Sequence, residues 1–273
     1  MRTSAIAIIM PAYNPDPVLL RKVITPLLDQ TLPVDVVVID DGSTRPVASM
    51  LDPDPRIHVL RLDHNVGVTA ARNFGLRYIV DAGYTYIACN DSDDVSDRER
   101  IKAQVARLEA DPTLDVVGSM APAYDHDGRL LFTLGTEGGP KAIRRSISQN
   151  LPFAHSTFCF RADVVERFGV YSEDFPAGED YEFLYRIIHM GGHVDCVPLP
   201  LVGYLLNPEG ITYNNWRRQI LTRLKTQVRY FVPLNPGSYL GAGRSVVTLL
   251  IPHVLWRPLK KLIRSETPRS LRG

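Results

Sequence analysis

Three aspartates fall within four positions in the run Asn90-Asp91-Ser92-Asp93-Asp94, directly behind the apolar stretch Ile87-Ala88-Cys89. Like charges this close repel, so a folded chain keeps them together only where a positive partner offsets the cost. Hard carboxylate oxygens suit Mg²⁺ or Mn²⁺, and such an ion bridges the phosphate oxygens of a ligand. The chain has no GxxxxGK[ST] phosphate loop, and no GxGxxG follows its first apolar run. A dinucleotide fold is therefore not expected, and a bound diphosphate needs the metal that these aspartates can hold. Two further polar clusters are Pro11-Ala12-Tyr13-Asn14 and Asp40-Asp41-Gly42-Ser43. Any one of them reads as a turn or a helix cap. A second acidic pair, Glu179-Asp180, opens a predicted helix with Phe183, Leu184, Ile187 and Ile188, where the helix dipole favours carboxylates.

The elements that must position these residues alternate. Residues 5–10 form an apolar strand, and Leu19, Leu20, Val23, Ile24, Leu27 and Leu28 follow at helical spacing. Residues 34–40 and 56–62 read as strands, 67–82 as a helix, and 84–90 as a fourth strand. Asp97 is expected to cap a helix running to Ala110. This order implies a mainly parallel, Rossmann-like α/β sheet with helices on both faces. Ligands bind such sheets beyond the carboxyl ends of the strands, where all three polar clusters fall. With 273 residues, 45% hydrophobic and 22% charged, the chain has room for a sizeable core. Cys89, Cys159 and Cys196 are far apart, which argues against a disulfide framework or a zinc site and fits a reducing compartment. The opening MRTSAIAIIMPAYN reads as a first strand rather than a secretion signal.

In order and spacing, PAYN, VVVIDDGST, HNVGVTAARNFGL, NDSDD and AGEDYEF resemble the motifs of the family 2 glycosyltransferases, over roughly residues 4–206. The resemblance implies a GT-A fold and an inverting, metal-dependent transfer from a nucleoside-diphosphate sugar, UDP- or dTDP-linked, to a saccharide or lipid-linked acceptor. Nucleic acid is not an expected partner. On this resemblance Asp93 and Asp91 hold Mn²⁺ or Mg²⁺, and Asp91 leans toward the donor ribose. Asp40 contacts the base, Pro11, Ala12 and Tyr13 line its pocket, and Asn65, Gly67 and Arg72 close over base and diphosphate. Asp180 is the expected base and Glu179 its neighbour that places the acceptor. His155 and Ser156 are expected to line the acceptor pocket. One departure is visible: where the family often carries Tyr-Arg-x-His, this chain has Tyr204-Leu205-Leu206-Asn207, which implies weaker or more hydrated metal binding.

The implied division is a catalytic domain over residues 1–210, with a nucleotide-sugar half (1–115) and an acceptor half (116–210), and a basic helical extension over 211–273. From Ile211 onward there are twelve Lys and Arg against one acid, leaving 19 basic and 29 acidic residues before it. A helix over 216–232, with Ile220, Leu224 and Val228 on one side, and a linker over 234–243 are expected. The run 245–264, with Trp256, Arg257, Lys260, Lys261 and Arg264, is interrupted by Pro252 and Pro258, so it suits an anionic membrane surface better than a span, and equally a helix packed on the catalytic domain with a solvated basic face. A cytoplasmic protein, peripheral on the inner membrane face and serving surface-polysaccharide assembly, is the expectation. The rival readings are a haloacid dehalogenase-like phosphatase, because Asp91–Val95 fits DxDx[TV], a sugar nucleotidyltransferase, and a non-catalytic carbohydrate-binding module.

Overall fold

The computed structural model describes residues 3–125, 127–175, 177–206 and 216–250. Strand β1 (Ile6–Ala12) is followed by α1 (Pro17–Leu28), β2 (Asp35–Asp40), β3 (Ile57–Arg61), α2 (Val68–Asp81), β4 (Tyr86–Cys89), β5 (Val95–Ser96) and α3 (Arg100–Ala110). The second half adds β6 (Leu114–Tyr124), β7 (Leu130–Leu134), α4 (Gly139–Ser146), β8 (Cys159–Arg161), α5 (Asp163–Phe168) and α6 (Glu179–His189). It ends with β9 (His193–Pro200), β10 (Val202–Leu205), α7 (Trp216–Arg229) and α8 (Pro236–Leu250).

The strands described join in one sheet of order β3-β2-β1-β4-β8-β6-β10-β5, with β7 and β9 also pairing with β6. The first four are parallel, as expected. Beyond β4 the sheet becomes mixed: β8 runs antiparallel to both β4 and β6. Between β2 and β3 the connection is a single 3₁₀ turn, Val47–Met50, instead of a helix. Successive side chains of β1 point to opposite faces. Ile6, Ile8 and Met10 join a core with α1 and α3, while Ala7 and Ile9 join one with α2 and α6. Helices cover both faces, which explains why β1 and β2 are apolar without alternation.

Helix α3 starts at Arg100, two residues later than a cap at Asp97 implies. Asp97 caps the preceding turn through Glu99 N. Arg100 is wholly buried and holds the aspartate loop from below. It donates to Cys89 O (2.7 Å), Asn90 Oδ1 (2.9 Å), Ser96 Oγ (2.8 Å) and Gln104 Oε1 (3.0 Å). Burial lowers its pKa to about 10, so it stays charged at neutral pH. Arg100→Met strips the donors from these buried acceptors at about 1–3 kcal/mol each. A stability loss of roughly 3 kcal/mol or more is expected in urea unfolding, and a loss under about 1 kcal/mol would count against this role.

The segment expected to be a linker is helical: α8 spans Pro236–Leu250. Helix α7 is present, but its buried positions are Ile220, Thr222, Thr226 and Gln227, while Val228 is exposed. The reason is its packing partners. Tyr230, just past α7, stacks on Tyr185 of α6 and donates to Glu182 Oε1, and Lys225 donates to Asp174 O. Asn207 and the stretch with Trp256, Arg257, Lys260, Lys261 and Arg264 lie outside the described residues.

Candidate active site

Because β1, β2 and β4 are parallel neighbours, their carboxyl ends open on one edge of the sheet. That brings Ala12, Asp40 and Asn90 side by side. The loops are tied to each other: Asp41 N donates to Ala12 O, Asn14 N to Ser43 Oγ, and Thr44 N to Asn14 Oδ1. Gly42 has φ +68°, and a Cβ there would meet His64 C at 2.3 Å. The tight turn after Asp41 therefore needs glycine.

The two aspartates of that turn point inward. Asp40 is wholly buried; it accepts from Ser43 N (2.9 Å), Val47 N (3.0 Å) and Arg61 Nη1 (2.5 Å). In this arrangement it braces residues 43–47 and is closed off from solvent. Asp41 accepts from Asn65 Nδ2 (2.9 Å), Val66 N (2.8 Å) and Gly67 N (3.1 Å), which fixes the entrance to α2. Asn65 and Gly67 are thus brought beside the Asp40 turn. Tyr13 stands open at the same rim, 54% exposed.

Arg72 joins the two acidic motifs. From the first turns of α2 its Nη2 donates to Asp91 Oδ1 at 2.7 Å, and its Nη1 donates to Glu179 Oε1. The pairing spans |i−j| = 107 in sequence. Burial opposes the charge on Arg72, but Asp91 and Glu179 override it and raise its pKa. Burial likewise works against the Asp91 carboxylate, and the Arg72 guanidinium holds it below its ordinary value. Asp93 has the opposite balance: burial, and then the charge of Asp91, push it up to about 6. Asp94 is buried and raised for the same reasons; its Oδ1 accepts from Leu205 N at 3.0 Å, anchoring β10 to the aspartate loop.

Glu179 and Asp180 open α6 and diverge. Glu179 is buried and occupied by Arg72 and by Gly178 N. Asp180 is partly exposed and accepts from Tyr181 N at 2.7 Å. Its carboxyl is raised by burial and then by Glu179 beside it. His155 and Ser156 are both buried, Ser156 wholly so. The structure places them beneath the aspartate loop instead of on an open acceptor surface. His155 Nδ1 lies 3.8 Å from Asp91 Oδ1, and its Nε2 is 2.8 Å from the Tyr171 hydroxyl.

Sequence reasoning missed Arg100 and Tyr171, and it placed Asn90 in the strand-end cluster without giving it a role. Asn90 donates to Asp91 O and Asp94 O, so it shapes the loop directly. The available signal was an arginine and a glutamine, Arg100 and Gln104, on the apolar face of α3.

For metal, the residues present are two carboxylates. Among the described residues no group of three or more His, Cys, Asp or Glu is placed to cage an ion. Among the described residues no ion pair to Asp93 is formed, and burial and the charge of Asp91 push its carboxyl up to about 6. An ion held by one or two carboxylates and completed by ligand phosphates and water fits that set.

A mixed α/β sheet covered by helices on both faces, its parallel strands ending on an acidic loop, has the GT-A glycosyltransferase fold. The fold matches that of S. aureus TarS (residues 1–349), with a TM-score of 0.65 over 94% of this chain and 77% of that one, at 18% identity. Residues 7–169 match the Glycosyl transferase family 2 model, and the chain belongs to that family. It is 28% identical over 217 residues to the succinoglycan biosynthesis protein ExoO of Rhizobium meliloti (strain 1021), covering 73% of this chain and 60% of that protein's length. It is 27% identical over 199 residues to the amylovoran biosynthesis glycosyltransferase AmsE of Erwinia amylovora, covering 70% and 73%.

Proposed function

We propose that this protein transfers a sugar, with inversion at the anomeric carbon, from a nucleoside-diphosphate sugar to a saccharide or lipid-linked acceptor. The observation that carries this reading is Arg72, which ties Asp91 on the donor side to Glu179 on the acceptor side. Glu179 is followed in α6 by the partly exposed Asp180, and on this reading Asp180 is the base required opposite the leaving group. A base with a raised pKa takes the acceptor hydroxyl's proton more readily as oxygen attacks. Glu179, its charge offset by Arg72, places the acceptor. Tyr13, Ala12 and Pro11 border the base, and Asn65 and Gly67 border the diphosphate.

Asp93 and Asp91 would hold Mn²⁺ or Mg²⁺, which offsets charge growing on the leaving diphosphate when bound. S. aureus TarS has been solved with UDP and with UDP-GlcNAc, which supports a nucleotide sugar as donor here. The relatives named for succinoglycan and amylovoran biosynthesis support a saccharide acceptor in polysaccharide assembly.

Calorimetry with UDP and dTDP, in Mn²⁺ or in EDTA, tests the donor side. Binding of at least one nucleotide is expected to weaken about tenfold or more in EDTA. In Asp93→Asn the metal advantage is expected to vanish. Equal affinity in Mn²⁺ and EDTA for the nucleotide that binds would remove the metal role.

A further inference from the structure

Helix α8 is built inside out. Its buried stripe is Ser238, Gly241 and Ser245, small residues at the spacing of one helix face. Ser245 Oγ donates to Gln227 Oε1 at 2.8 Å, and Gln227 Nε2 donates to Ser148 O at 2.7 Å. A Cβ on Gly241 would meet Ser148 O at 2.0 Å, so the close approach needs glycine. The opposite face carries Tyr239, Leu240, Val246, Val247 and Leu250, all exposed, with Leu240 at 64% and Leu250 at 77%. At 3.6 residues per turn these side chains cover about one-third of the helix circumference. Arg244 stands at the edge of that arc. A surface helix ordinarily turns its apolar arc inward. A contiguous arc of large apolar side chains turned outward marks an interaction surface.

Charge decides what covers it. Helices α7 and α8 carry Arg217, Arg218, Arg223, Lys225, Arg229 and Arg244 and contain no Asp or Glu. Lys225 and Arg229 lean on Asp174, and the sequence beyond α8 has no acid before Glu266. A second copy meeting this face about a two-fold axis would set the same cations against themselves. An anionic lipid surface takes both the apolar arc and Arg244 at its edge, and the acid-free α7–α8 pair does not oppose it. We propose that the outer face of α8 is where this protein rests on an anionic bilayer, with Tyr239, Leu240, Val247 and Leu250 entering the interface. The apolar arc lies along one side of α8 only, which suits a helix resting in the plane of the surface. The inference concerns a face outside the transfer site and does not depend on the reaction proposed above.

The test uses the full chain and vesicles of phosphatidylcholine, alone or mixed with phosphatidylglycerol. The unmodified protein is expected to sediment with the mixed vesicles. Leu240→Glu combined with Val247→Glu is expected to weaken that binding about tenfold or more. Its melting temperature and nucleotide affinity should not change, since both side chains face outward. Leu240→Ser with Val247→Ser is the milder variant should the glutamates disturb folding. Arg244→Gln is expected to weaken binding at low salt and to have no effect at high salt. Equal vesicle binding by the unmodified and glutamate forms would overturn the assignment, as would no binding by either. A dimer in sedimentation velocity that the glutamate variant converts to monomer would assign the face to a second copy and overturn it too.

Discussion

Asp180→Asn is expected to fold, to bind the nucleotide like the unmodified protein, and to lose sugar transfer by about 10²–10⁴-fold, the usual worth of a general base. Asparagine keeps the hydrogen bond that Asp180 Oδ1 accepts from Tyr181 N, so the N-terminus of α6 is undisturbed. What it removes is the proton acceptor. The loss should fall on kcat, with little change in donor KM. Glu179→Gln should behave differently. It leaves Arg72 with one carboxylate partner, so donor binding and stability should move along with kcat. If Asp180→Asn retains near-normal kcat while Glu179→Gln loses it, the two roles are reversed.

Arg72→Met is expected to carry a large cost to stability. It leaves Asp91 and Glu179 without the cation that neutralises both. Breaking a buried pair in this way costs about 3–5 kcal/mol. Partial rescue should follow when Glu179→Gln is added, because one uncompensated charge disappears. The double variant should therefore be less destabilised than the sum of the singles, as residues in one network are not additive. Denaturant unfolding of the four forms reads this directly. Additive losses would show that Arg72 and Glu179 act independently.

The parallel half of the fold was legible because its signals are local. Runs rich in Val and Ile, such as Val36–Ile39, read as strands, and the spacing of Leu20, Val23, Ile24 and Leu27 reads as a helix. The place of β8 between β4 and β6 was not legible, since antiparallel insertion into a sheet leaves no trace in Cys159–Arg161 itself. Helix α8 was hidden by Pro236, Gly237, Gly241 and Gly243, which read as breakers. The structure uses Pro236 at the helix start and Gly241 for its closest packing. At the site, the motifs identified the acids but not their partners. The Arg72 bridge joins positions far apart in the chain, and nothing near Asp91 or Glu179 announces it. His155 and Ser156 were expected to line the acceptor pocket; the depth of His155 beside Asp91 depends on how Phe158 and Tyr171 pack against its ring.

The most direct test of sugar transfer at this site is proton NMR of the reaction mixture. A panel of UDP- and dTDP-sugars would be supplied with saccharide and lipid-linked acceptors in Mn²⁺. The anomeric signal of the product should have the configuration opposite to that of the donor, with nucleoside diphosphate released, and it should be absent with Asp180→Asn. A product that retains the donor configuration, or release of inorganic phosphate without a glycoside, would contradict single displacement by an acceptor activated at Asp180.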